Sequence, residues 1–151
     1  MQIVLYEPEI PPNTGNIARL CAATTTPLHL IEPLGFSLED KYLRRAGLDY
    51  WPYVDVTVWP GWGEFREAQQ GRGRMVLTSG RQGVPHHEFI FEANDFLVFG
   101  PETRGLPREI FDTYPHQVRV PVWGKVRSLN LSTCAGIVLY EALRQTGGID
   151  P

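Results

Sequence analysis

Short runs rich in β-branched and aromatic residues recur along the chain, at Gln2–Glu7, Pro27–Glu32, Tyr53–Trp59, Arg74–Ser79, Asp95–Phe99 and His116–Val122. Their lengths and composition predict strands. Between and after them, apolar residues return every three or four positions, which predicts helices over Thr14–Thr25, Leu38–Ala46, Trp62–Gln70, Pro107–Thr113 and Leu129–Gln145. This alternation predicts an α/β fold, a mostly parallel sheet with helices on both faces. Within Tyr53–Trp59 apolar and polar residues alternate, so this strand is expected to be half-exposed at an edge. The other strands are nearly continuous apolar runs and are expected to be central. The last helix carries two stripes. Leu131, Cys134, Ala135, Val138, Leu139, Ala142 and Leu143 face a core. Ser132, Gly136, Ile137, Tyr140, Glu141 and Arg144 form a second stripe, suited either to further packing within the domain or to a contact between two copies.

The length, 151 residues, suits one domain spanning 1–151. No apolar run approaches a membrane span, and the N-terminus does not read as a signal peptide, so a cytoplasmic protein is expected. Cys21 and Cys134 lie in helical patterns without a CxxC pair and read as reduced, buried thiols. The histidines form no ligand-spaced set, so no metal is expected. A net charge of −3 argues against nucleic-acid binding over the whole surface but leaves room for a local basic patch. The densest is at Lys41, Arg44 and Arg45; Arg66, Arg72, Arg74 and Arg81 form a looser set.

Ligands of parallel sheets bind beyond the carboxyl ends of the strands. The loops there lack the GxGxxG, GxxxxGK[ST] and GxSxG signatures, which disfavours a dinucleotide enzyme, a P-loop NTPase and an α/β-hydrolase. Three other polar loops stand out. In PPNTGNIAR, Asn13 reads as a helix N-cap and Arg19 points away from the apolar face. In FGPETRGLP, Gly100 and Gly105 permit close backbone approach or positive φ, while Pro101 and Pro107 stiffen the segment. Glu102 there either pairs with Arg104 or serves a ligand. In VPVWGKVRSLNLS, Ser128, Asn130 and Ser132 are too many small polar residues for one cap. Together the loops suggest one composite site for a flat ligand.

In this order, NTGNIAR, FGPETRGLP and RSLNLS resemble the three motifs of the SPOUT-class RNA methyltransferases. With IVLYEPEIPPNTGNIARLCA, LHLIEPLGF, LRRAGLDY and IVLYEALRQ, the resemblance covers nearly the whole chain. It is closest to the small tRNA wobble-position 2′-O-methyltransferases of the TrmL type; Trp51–Gly73 and Gly80–Ala93 match poorly. The resemblance implies a C-terminal trefoil knot, which general topology rules would not have suggested. It also implies a homodimer, and S-adenosylmethionine as methyl donor with S-adenosylhomocysteine as product. The substrate would be the ribose 2′-hydroxyl of nucleotide 34, cytidine or modified uridine, in a tRNA anticodon loop. Implied methyl-donor contacts are Leu77, Thr78, Gly100, Glu102, Val120, Ser128 and Leu129. Asn13, Arg19, Glu102, Ser128 and Asn130 match residues tied to catalysis or positioning.

Arginine stays protonated in proteins, so Arg19 is expected to position a phosphate and stabilise a developing alkoxide rather than act as a base. RNA contacts are expected from Arg19, Lys41, Arg44, Arg45 and Lys125. Thr133 and Cys134 depart from the family, which commonly has Asn and a small apolar residue there. The competing readings are a related methyltransferase acting on another RNA, such as rRNA, and a non-catalytic RNA- or nucleotide-binding module.

Overall fold

The computed structural model describes residues 1–41, 43, 45 and 50–149. In chain order its elements are β1 (Gln2–Tyr6), α1 (Pro11–Thr24), β2 (Leu28–Ile31), β3 (Val56–Trp59), α2 (Trp62–Gln69), β4 (Met75–Ser79), β5 (Val84–Pro85), β6 (Phe96–Phe99), α3 (Arg108–Thr113), β7 (His116–Arg119) and α4 (Leu131–Thr146). The strands form one 7-stranded sheet in the order β3-β2-β1-β6-β4-β7-β5, and every pairing is parallel.

Successive strand residues point to opposite faces, and apolar residues on both faces give two cores. Ile3, Leu5, Leu28, Leu30, Val76, Leu97 and Phe99 pack with Ile17, Ala18 and Cys21 of α1 and with Ala135, Val138, Leu139 and Ala142 of α4. Val4, Ile31, Met75, Leu77, Phe96 and Val98 pack with Phe65 of α2 and Ile110 of α3. The expected parallel sheet covered on both faces is therefore present. The alternating strand lies at the sheet edge, as its pattern predicts, and every residue of β3 is half-buried.

Several boundaries move for local reasons. Helix α1 begins at Pro11 rather than Thr14, with Ile10 at the N-cap. Proline is tolerated in a first turn because its missing N–H has no intrahelical partner there. Asn13 is consequently inside the helix and is not its cap. The edge strand starts at Val56 because Trp51–Tyr53 forms a 3-10 turn. Strand β7 ends at Arg119, and α4 starts at Leu131 with Asn130 as its cap. Pro107 caps α3 instead of opening it. The two-residue strand β5 was not expected; it has no apolar run and is held by pairing with β7. Within the expected helix Leu38–Ala46, Lys41, Leu43 and Arg45 are helical, while Tyr42, Arg44 and Ala46 lie outside the described residues.

Candidate active site

The chain lays down β1, β2 and β3 in one direction and then crosses to the far side of β6 to form β4. A crevice opens beyond the carboxyl ends of strands at such a change of direction. Here it is a cleft of about 800 Å³, within the size range of small-molecule sites. Its walls come from Thr78–Gln82 at the end of β4 and just beyond it, Gly100–Leu106 after β6, and Val120 with Ser128–Leu131 after β7. Ile10 and Asn13 close one side at the start of α1.

The 100–106 loop is a tight return. Gly105 has φ +69°, a conformation that L side chains rarely adopt, and its N–H donates to the Pro101 carbonyl at 2.9 Å. A Cβ on Gly100 would meet Leu106 N at 2.4 Å and the Gly105 carbonyl carbon at 2.6 Å. Gly100 is therefore needed so that the loop can fold back on itself, a use distinct from room for a ligand.

Glu102 does not pair with Arg104. Its carboxylate accepts from the backbone N–H groups of Glu9 (2.8 Å) and Ile10 (3.2 Å), and from Asn13 Nδ2 at 3.5 Å. Arg104 instead contacts Glu7. Glu9 returns the connection by accepting from the Thr103 backbone N–H and hydroxyl, which holds its carboxyl below the usual range. Asn13 is buried inside the first turns of α1, so its side chain has a fixed outlook: Oδ1 accepts from Asn130 Nδ2 at 2.9 Å. Asn130 in turn accepts from the Ser132 N–H (2.9 Å) and hydroxyl (2.6 Å), capping α4. A single chain of polar contacts thus runs Glu102, Asn13, Asn130, Ser132 and ties all three sequence loops together.

Of the expected methyl-donor contacts, Thr78, Gly100, Glu102, Val120, Ser128 and Leu129 line the cleft. Leu77 is fully buried in the core on the α2 face and is not among the lining residues. Asn13, Glu102, Ser128 and Asn130 are brought together; Arg19 is not with them. Its guanidinium lies 4.7 Å from the centre of the Tyr50 ring. Lys41 and Arg45 are exposed on their helical segment, Lys125 is exposed on the loop after β7, and Arg44 lies outside the described residues.

Sequence reading did not single out Leu106, Phe111 and Arg108 as lining residues, nor place Arg81 at the cleft. They come from a short helix and from turns whose apolar residues carry no periodic signal. Cys134 also lines the cleft, but burial raises its thiol above the ordinary value, and burial pushes Cys21 up to about 12. Cys21 is buried as expected, whereas Cys134 is only half-buried because one side of it faces the cleft; both thiols are held towards the protonated form. Among the described residues no His, Cys, Asp and Glu cluster could hold a metal ion, and no helix is long and apolar enough to cross a membrane.

Sheet and cleft define an α/β protein with a loop-built site for a nucleotide-sized ligand. The chain belongs to the SpoU rRNA Methylase family, which matches residues 1–140. It is 55% identical over 145 residues to the tRNA (cytidine(34)-2′-O)-methyltransferase of Methylovorus glucosotrophus, covering 95% of this chain and 94% of that one. It is 50% identical over 150 residues to the enzyme of the same name from Escherichia coli K12, covering 97% and 94%. A solved structure described as giving structural insights into the 2-OH methylation of C/U34 on tRNA superposes with a TM-score of 0.91 at 47% identity, over 95% of this chain and 94% of that chain. The methyltransferase AviRb of Streptomyces viridochromogenes, solved with the cofactor AdoMet, superposes with a TM-score of 0.85 at 25% identity, over 96% of this chain and 60% of its own.

Proposed function

We propose that this chain transfers a methyl group from S-adenosylmethionine to the ribose 2′-hydroxyl of nucleotide 34, cytidine or modified uridine, in a tRNA anticodon loop. The observation that carries this reading is the linkage of the three motif loops around one cleft by Glu102, Asn13 and Asn130, in a chain about half identical to enzymes of that name.

The residues present fit the methyl donor. Val120, Leu106 and Leu129 offer apolar walls for a flat ring, Ser128 a hydroxyl, and Glu102 a negative charge suited to a cationic ligand. When bound, S-adenosylmethionine supplies a methyl group already activated by its sulfonium, so the chain's task is alignment and charge stabilisation. Glu102, held by two backbone N–H groups, keeps the 100–106 loop against the start of α1. Asn13 and Asn130 fix the approach of the loop that carries Ser128. Arg19, permanently charged, holds a phosphate beside the reacting ribose and stabilises oxygen charge as the 2′-hydroxyl proton leaves to a phosphate oxygen or water. Lys41, Arg44, Arg45 and Lys125 supply further phosphate contacts.

Arg19 follows Asn13 by about 9 Å along α1 and about 240° around it, so it faces away from its own chain's cleft. A homodimer accounts for this: Arg19 of one protomer serves the cleft of the other. The half-exposed stripe of Ser132, Gly136, Ile137 and Tyr140 on α4 offers a surface for that contact. The reading includes a cytoplasmic enzyme and a C-terminal trefoil knot, consistent with a Val120–Asn130 segment that borders the 100–106 loop before α4 packs on α1.

The test is to incubate the protein with bulk tRNA, rRNA and labelled S-adenosylmethionine and to map the methylated nucleotide. A 2′-O-methyl at position 34 is expected. Methylation confined to rRNA overturns the substrate assignment, and methyl-donor binding without transfer overturns catalysis.

A further inference from the structure

The loop after β7 holds a feature that the methyl-donor cleft does not use. Trp123 is 91% exposed and Val126 63% exposed. Burying an indole is among the larger favourable terms available to any side chain, and tryptophan is seldom left bare without a partner. Gly124, Lys125, Val126 and Arg127 complete an exposed run that leads directly to Ser128 and Leu129 on the cleft wall. Trp123 is thus carried on a loop whose two ends, Val120 and Ser128, line the cleft.

Charge selects the partner. In a chain of net charge −3, the sequence between Asp112 and Glu141 contains no carboxylate but includes Arg119, Lys125 and Arg127. Arg81 adds a further exposed guanidinium among the residues of the cleft. A bare indole between cations suits an unstacked base attached to a phosphodiester backbone: the ring offers a π-face to any base, and the cations meet the flanking phosphates.

We propose that Trp123 is the stacking platform for an unpaired base beside the ribose that enters the cleft, with Lys125 and Arg127 holding the adjoining phosphates. It rests on the reading of this chain as an RNA methyltransferase and adds a residue that grips the RNA without touching the methyl donor. A base stacked there is taken out of the anticodon-loop stack, which brings its neighbour's ribose to the cleft. An aromatic residue at position 123 is required; the indole N–H is not.

The experiment compares wild type, Trp123→Ala and Trp123→Phe. With bulk tRNA and labelled S-adenosylmethionine, Trp123→Ala is expected to raise KM for tRNA about tenfold or more, whereas Trp123→Phe stays within about threefold of wild type. Affinity for S-adenosylmethionine by calorimetry and elution volume in gel filtration are expected to be unchanged in both. An unchanged KM in Trp123→Ala overturns the proposal, as does a shift in elution volume, which would assign the indole to a second copy of the chain. A second measurement is independent of turnover. Titrating a short unstructured RNA is expected to quench wild-type tryptophan emission, and Trp123→Phe to abolish the quench, because Trp51, Trp59 and Trp62 are partly buried. Quenching that persists in Trp123→Phe overturns the platform. Quenching lost in that variant while wild type methylates no tRNA would leave the platform standing and remove the proposed function instead.

Discussion

Glu102 ties the 100–106 loop to the start of α1 through the backbone N–H groups of Glu9 and Ile10. The sequence leaves two roles open for it, an ion pair with Arg104 or service to a ligand. In the structure Arg104 goes to Glu7, and Glu102 spends its carboxylate on two backbone N–H groups and one side-chain amide from the start of α1. Removing it would leave those donors short of partners, at about 1–2 kcal/mol. Glu102→Ala is therefore expected to lower unfolding stability by about that amount in urea and to weaken S-adenosylmethionine binding. Glu102→Gln, which keeps one acceptor oxygen, should lose less stability. Equal stability loss in both would mean that the charge, not the geometry, holds the loop. A second residue-scale effect sits far from the cleft. His29 is buried; Trp59 Nε1–H donates to its Nδ1 at 3.0 Å, so its Nε2 carries the proton and donates to Gln2 Oε1 at 2.6 Å. Burial lowers its pKa from 6.5 to about 4. The unfolded chain thus takes up this proton at higher pH than the folded chain does. Its contribution is complete above about pH 6.5 and is lost as pH falls towards 4, costing about 1–2 kcal/mol by pH 5. Urea denaturation at pH 7.5 and pH 5 should show that loss in wild type and a smaller one in His29→Gln.

At the scale of elements, what could be read in advance depended on periodicity. The strands and the long helices announce themselves because each buries a face, and the parallel sheet follows from their alternation. Ends follow different physics. Pro11 and Pro12 look like loop residues, yet they open α1, and this moves Asn13 from the cap to the interior, where its side chain is free to meet Asn130. The Val84–Pro85 strand has no pattern of its own, and its pairing with β7 could not be seen from residues alone. The site was legible as three loops but not as one network: hydrogen bonds spanning 89 and 117 residues leave no local trace. The two glycines of the 100–106 loop separate two requirements that sequence reading had joined. Gly105→Ala meets no neighbouring atom and carries only the strain of φ +69°, about 1 kcal/mol. Gly100→Ala would drive a Cβ into the backbone of Gly105 and Leu106, so the loop must open. Calorimetric titration with S-adenosylmethionine should show Gly100→Ala weakened more than tenfold and Gly105→Ala by only a few-fold.

For the whole molecule, the sheet's change of direction places the cleft, and α1 divides the proposed catalytic residues between its two sides. Asn13 faces the cleft and Arg19, stacked near Tyr50, does not line it. If both act on one ribose, the chain cannot complete the site alone. Two variants, each defective in one part of the site, decide the matter. Arg19→Ala removes the guanidinium but leaves the cleft, and Gly100→Ala keeps Arg19 but opens the loop that forms the cleft wall. Suppose each protomer's Arg19 serves its partner's cleft. A mixed dimer then contains one site with an intact cleft from the Arg19→Ala chain and an intact Arg19 from the Gly100→Ala chain. If Arg19 serves its own cleft, both sites in the mixed dimer are defective. Co-purifying the two chains through different affinity tags and measuring methyl transfer to tRNA should therefore recover a substantial fraction, up to half, of wild-type turnover, although neither parent dimer approaches it. Mixed dimers no more active than the parents would place Arg19 in the cleft of its own chain, and would require α1 to turn or the 100–106 loop to move when RNA binds.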